Sequence, residues 1–127
     1  MRPNPGCWFE IYVDDLDRAT AFYQTVLGTK LDKLASPVDN LQMMTFPMSM
    51  DGPGASGALC KMEGMSAGGN STMIYFSCED CAVEAGRIEA AGGKLMMPKT
   101  SIGMYGFIAT GIDTEGNAFG LHTAPSF

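Results

Sequence analysis

Apolar and polar residues alternate one for one through Cys7-Trp8-Phe9-Glu10-Ile11-Tyr12-Val13, with Phe9, Ile11 and Val13 on one side and Trp8, Glu10 and Tyr12 on the other. A period of two is that of a strand with unlike faces. The period then changes. Leu16, Ala19, Phe22, Tyr23, Val26 and Leu27 recur at helical spacing, preceded by Asp14-Asp15 as a cap and followed by Gly28 as a stop. Asp17 in the first turn suits the helix dipole.

The same order returns about 65 residues later, as expected of a duplicated unit. Met73-Ile74-Tyr75-Phe76-Ser77-Cys78 alternates, Glu79-Asp80 stands where Asp14-Asp15 stood, and Cys81, Ala85, Ile88 and Ala91 make a helical stripe that ends at Gly92-Gly93. Gly86 costs that helix about 1 kcal/mol relative to Ala, so its stability rests on packing. Gly54-Ala55-Ser56-Gly57-Ala58-Leu59-Cys60 likewise lines up with Gly116-Asn117-Ala118-Phe119-Gly120-Leu121-His122, each after a turn-rich segment. The remaining runs place strands at 29–35, 40–47 and 57–62, and again at 94–97, 106–112 and 118–123. The pattern predicts an α/β (α+β) fold of two tandem βαβββ modules. It predicts one domain over 1–127, with module 1 at about 7–62, a glycine-rich linker at 63–71 and module 2 at about 72–123.

Composition narrows the function classes. The chain has 127 residues, enough for one domain with a real core. A net charge of −6 argues against nucleic acid, which rewards clustered Lys and Arg. No apolar run approaches the ~20 residues of a membrane span, and Met1-Arg2-Pro3-Asn4-Pro5-Gly6 has no apolar leader core. A cytoplasmic location with reduced cysteines is the expectation.

The stretch Phe9-Glu10-Ile11-Tyr12-Val13-Asp14-Asp15-Leu16-Asp17-Arg18-Ala19, with Phe22-Tyr23 and Leu27-Gly28, resembles the opening signature of the glyoxalase/bleomycin-resistance/dioxygenase (vicinal oxygen chelate) superfamily. Asp113-Thr114-Glu115-Gly116-Asn117 leading into Phe119-Gly120-Leu121-His122 is similar to its closing signature, and Gly92-Gly93-Lys94 to the middle of its second module. The resemblance implies a glyoxalase-like fold, with the two modules forming a curved sheet around a cavity, a homodimer and a small-molecule ligand. It spans lyases, isomerases, dioxygenases and drug-binding proteins, so two functions stay open. One is a glyoxalase-like, lactoylglutathione lyase-related enzyme; the other is a non-catalytic, bleomycin-resistance-like binding protein. Metal-dependent relatives chelate a divalent ion at positions that fall here on Trp8, about Leu59, Met73 and Gly120, none a competent ligand. No metal or other cofactor is therefore expected, and a shifted set of Glu10, His122 and Cys60 is the alternative.

Alternation puts Phe9, Ile11, Val13, Ile74, Phe76 and Cys78 under the helices. It leaves Trp8, Glu10, Tyr12, Met73, Tyr75 and Ser77 toward the cavity, joined by Gly120 and His122 from the last strand. Glu10 and His122, the one histidine, are the candidate catalytic residues. Burial of Glu10 among aromatic neighbours would raise its pKa and suit it to acid–base work; the alternative is a structural carboxylate held by a donor. Cys78-Glu79-Asp80-Cys81 has redox-motif spacing, but both cysteines repeat apolar positions, Val13 and Leu16, and read as core thiols. Eleven methionines suit an adaptable cavity or plain core filling. Pro98 to Gly106 reads as a mobile lid carrying Lys99 and Tyr105, or as an ordinary long loop.

Overall fold

Asp15 and Gly28 bracket the first helix as their chemistry requires. The Asp15 carboxylate accepts the Arg18 amide at 3.0 Å, and Gly28, at φ 66°, donates its amide to the Gln24 carbonyl. The computed structural model describes residues 8–36, 39–49, 54–69 and 72–125. The order is β1 (Phe9–Tyr12), α1 (Leu16–Leu27), β2 (Asp32–Leu34), β3 (Leu41–Thr45) and β4 (Gly57–Met62), then β5 (Tyr75–Ser77), α2 (Cys81–Ala85), β6 (Lys94–Ser101), β7 (Phe107–Ile112) and β8 (Ala118–Thr123). Strand–helix–three strands thus occurs twice.

Each module closes its own four-stranded sheet, β1-β4-β3-β2 and β5-β8-β7-β6, with one parallel pair at the start. Among the described strands the two sheets share no hydrogen-bonded ladder. What joins them is a common core. Phe9, Phe22, Tyr23, Phe46, Phe76 and Phe119, drawn from both modules, form a chain of ring contacts 5.0–6.3 Å between centroids. Such pairs each contribute about 0.5–1.5 kcal/mol beyond their buried area. Val13, Ile11 and Cys78 pack on the same core, as alternation predicts.

A second tie is polar. The turn Asp113-Thr114-Glu115-Gly116-Asn117 of module 2 sits against the β1–α1 junction of module 1. Glu115 Oε1 accepts the Asp14 and Asp15 amides at 3.0 and 2.9 Å, and Arg18 grips both carboxylate oxygens at 2.7 and 3.0 Å. Asn117 donates to the Tyr12 carbonyl, and Tyr23 donates to buried Asp113 at 2.6 Å. Burial first, then the Asp113 charge, pushes the Tyr23 phenol well above its ordinary pKa.

Two elements depart from the sequence reading. The helical stripe over 81–91 is regular only through Ala85; beyond Gly86 the chain tightens into i→i+3 turns, such as Arg87 to Glu84 and Ile88 to Ala85. Ile88 is nonetheless fully buried. The proposed lid is not a loose loop. Residues through Ser101 continue β6, a 3-10 turn follows at Gly103–Tyr105, and Lys99 is fastened to Asp80 at 2.9 Å with its ammonium over the Phe107 ring. No helix among the described residues is long and apolar enough to cross a membrane.

Candidate functional site

β1 builds the site because its alternation leaves one carboxylate between two aromatic donors. Trp8 Nε1 donates to Glu10 Oε2 at 3.2 Å, and the Tyr12 hydroxyl donates to Glu10 Oε1 at 2.7 Å. Behind them, register sets Ala58 beside Glu10 and Cys60 beside Tyr12. Ala58, Cys60 and Met43 are buried on this face, with Tyr12, Leu34 and Leu41 packed over them. The small Ala58 floor leaves the carboxylate standing open, and Glu10 is exposed.

The electrostatics follow from that carboxylate. The Tyr12 phenol is pushed up to about 12, first by its hydrogen bond to Glu10, then by burial and the Glu10 charge. Burial, then Glu10, pushes the Cys60 thiol up to about 12. At neutral pH Tyr12 is therefore a donor and Cys60 an uncharged thiol. The expectation of a buried Glu10 does not hold: the side chain is exposed to solvent. Its donors are the two aromatic side chains of its own strand, not a backbone amide or a basic side chain across the cavity.

Glu10 and Tyr12 line a cavity of about 210 Å³ with Ile11, Tyr23, Asn117 and Ala118, where β1 meets the start of β5 and β8. The other expected cavity residues do not line it. Trp8, Met73 and Tyr75 are 39–47% exposed. Gly120 lies beneath the Tyr75 ring, where an added Cβ would overlap it. His122 is half-buried on β8, with Nε2 2.8 Å from the Tyr105 carbonyl oxygen. Neither Lys99 nor Tyr105 lines this cavity, and Ser77 lines a different one.

Met65, Ser66 and Gly68 also line the cavity, although their segment reads in sequence as a plain linker. The signal that could have found them is Asn117. As the last residue of the Asp113–Asn117 turn it holds the Gly68 amide at 2.7 Å with one end of its amide and the Tyr12 carbonyl with the other.

Comparison with known proteins fits this geometry. Residues 7–46, the segment carrying Trp8, Glu10 and Tyr12, match the bleomycin resistance protein-like N-terminal family model. A variant of glyoxalase I from Zea mays superposes with a TM-score of 0.73 at 24% identity, covering 95% of this chain and 46% of that one. TnmS3, an antibiotic binding protein from Streptomyces sp. CB03234, superposes with a TM-score of 0.68 at 22% identity, over 98% of this chain and 100% of that one. The chain therefore has the glyoxalase-like fold that these structures share. A glyoxalase/bleomycin resistance protein/dioxygenase family enzyme from Burkholderia phytofirmans PsJN is similar at TM-score 0.67 and 17% identity, over 93% and 97%. The chain spans about half the length of the maize glyoxalase I chain. No curated protein matches its sequence.

A divalent metal, implied for many vicinal oxygen chelate proteins, can be tested against the residues present. Trp8 offers only an indole N–H, already given to Glu10. Leu59 is fully buried in the main core, so the position matched to a ligand lies on the helix side of the sheet. At Gly120 the space a ligand would fill is taken by Tyr75. Among the described residues no three His, Cys, Asp or Glu side chains cluster, so Glu10, Cys60 and His122 do not assemble a shifted site within one chain. The donor set does not fit the ion.

Proposed function

We propose that this protein binds a small, flat, largely apolar molecule carrying a hydrogen-bond donor, on the face formed by Trp8, Glu10 and Tyr12. The observation that carries the reading is the geometry of Glu10. Its own strand aims two donors at it, which fixes its orientation, while each oxygen keeps a lone pair for a ligand. An acceptor fixed between aromatic side chains suits recognition. It is less suited to acid–base chemistry, where a proton must come and go freely. The match of residues 7–46 to a bleomycin resistance-like model, and the whole-chain likeness to an antibiotic binding protein, support sequestration. A glyoxalase-like lyase acting through Glu10 and His122 is the second reading, favoured by the likeness to maize glyoxalase I.

Trp8 is the single tryptophan, so its fluorescence reports the site directly. Titration with 2-naphthol should quench it saturably, and Glu10→Gln should weaken binding about tenfold or more, as expected when a hydrogen bond to a charged group is lost. Quenching that ignores Glu10→Gln would sink the reading; formation of lactoylglutathione that requires Glu10 would establish the second. The reading includes a homodimer in the cytoplasm, with a second copy covering part of the exposed Trp8, Met73 and Tyr75 surface. Light scattering that returns a 13.5 kDa monomer at micromolar concentration would remove the dimer.

A further inference from the structure

On β1, Phe9, which points away from Glu10, leads to a second cavity. Phe9 lines it, together with Leu27, Phe46, Phe76, Ser77 and Glu84, and its volume is about 260 Å³. Phe9, Phe46 and Phe76 are in mutual contact, with centroids 5.3–6.0 Å apart, so the cavity reaches into the aromatic core shared by the modules. The proposed Glu10 site takes none of these residues.

Glu84 is the anomaly in this wall. Its Oε1 is buried and has no hydrogen-bond partner. A buried carboxylate oxygen without a donor is costly, and native structures seldom leave one so. The ion pairs among the described residues join Arg18 to Glu115 and Lys99 to Asp80, and neither reaches Glu84. Arg87, three residues on, turns its guanidinium to the Val26 carbonyl instead. The Cys78 thiol lies close enough to hydrogen-bond to the Glu84 carboxylate, but a thiol is a weak donor and brings no positive charge.

We propose that this cavity is a second binding site, for a small primary amine with an aromatic or apolar body. An ammonium gives Glu84 the charge-assisted donor it lacks, and ring faces beside it favour a cation over a neutral group. Leu27 and the phenylalanines accept the apolar part. The volume suits a single-ring compound.

Benzylamine and benzyl alcohol, equal in shape and unlike in charge, are the probes. Calorimetric titration of the full chain at pH 7 should show benzylamine binding at least tenfold more tightly than the alcohol. Glu84→Gln should erase that preference. Ser77→Leu, at an exposed position on the wall, should block both probes while leaving Glu84 intact. Glu10→Gln should change benzylamine affinity by less than twofold, which separates this site from the Trp8 face. Equal affinity for the two probes, no saturable binding, or insensitivity to Glu84→Gln would each overturn the proposal. Loss of benzylamine binding in Glu10→Gln would also overturn it, by moving the amine to the other face.

Discussion

Replacing Glu115 by Gln tests whether the polar clasp between modules contributes to stability. The Glu115 side chain is fully enclosed. Burial by itself would raise its pKa, but hydrogen bonds from Arg18, the Asp15 amide and Thr114, with the Arg18 charge, outweigh it and bring the carboxyl down to about 2. Against its ordinary value of 4.5, that depression corresponds to about 3 kcal/mol of stability. Arg18 is half exposed, so solvent screening trims the figure to about 2–3 kcal/mol. Because the folded-state pKa is the lower one, the contribution is complete above about pH 5 and disappears as pH falls toward 2. Urea unfolding followed by circular dichroism should therefore find Glu115→Gln about 2–3 kcal/mol less stable at pH 7. The gap to the parent should narrow steadily at pH 4 and pH 3. A gap that stays the same at pH 7 and pH 3 would refute the electrostatic account. A gap below 0.5 kcal/mol at pH 7, roughly that of an ordinary surface change, would refute the clasp.

Three further outcomes are expected. Cys78 and Cys81 should label slowly with a thiol reagent in the folded chain, because Cys81 is fully buried and burial, with Glu84 nearby, pushes the Cys78 thiol up to about 12; fast labelling without unfolding would revive a redox role. Gly120→Ala should cost about 1–2 kcal/mol in a thermal melt, the price of overpacking, and Tyr75→Ala should relieve most of it, whereas additive losses would deny their contact. Protein prepared without added metal should carry no stoichiometric zinc, nickel, iron or manganese by elemental analysis, and about one ion per chain, lost in Glu10→Gln, would overturn the reading of the donor set.

The fold was legible because the chain states it twice. Two alternating runs, each followed by an Asp cap and a helical stripe, leave little freedom once the repeat is noticed. Boundaries were less legible: Gly86 shortened the second helix, and β6 ran on past Pro98 because its pairing with β7 persists through irregular register to Ser101. Of the site, the Trp8, Glu10 and Tyr12 face could be read from period two alone. The exposure of Glu10 could not, since its surroundings include Ala58, set beside it by pairing with a strand almost fifty residues away. The linker residues on the cavity wall were hidden for the same reason: Asn117, which holds Gly68, lies in the other module.

The Tyr75 ring over Gly120 couples two positions on neighbouring parallel strands. A larger side chain at 120 would overlap the ring where it now lies, so a single substitution there is penalised unless Tyr75, itself 47% exposed, swings outward or shrinks. The two positions therefore vary as a pair: what residue 120 can be is set by what stands at 75.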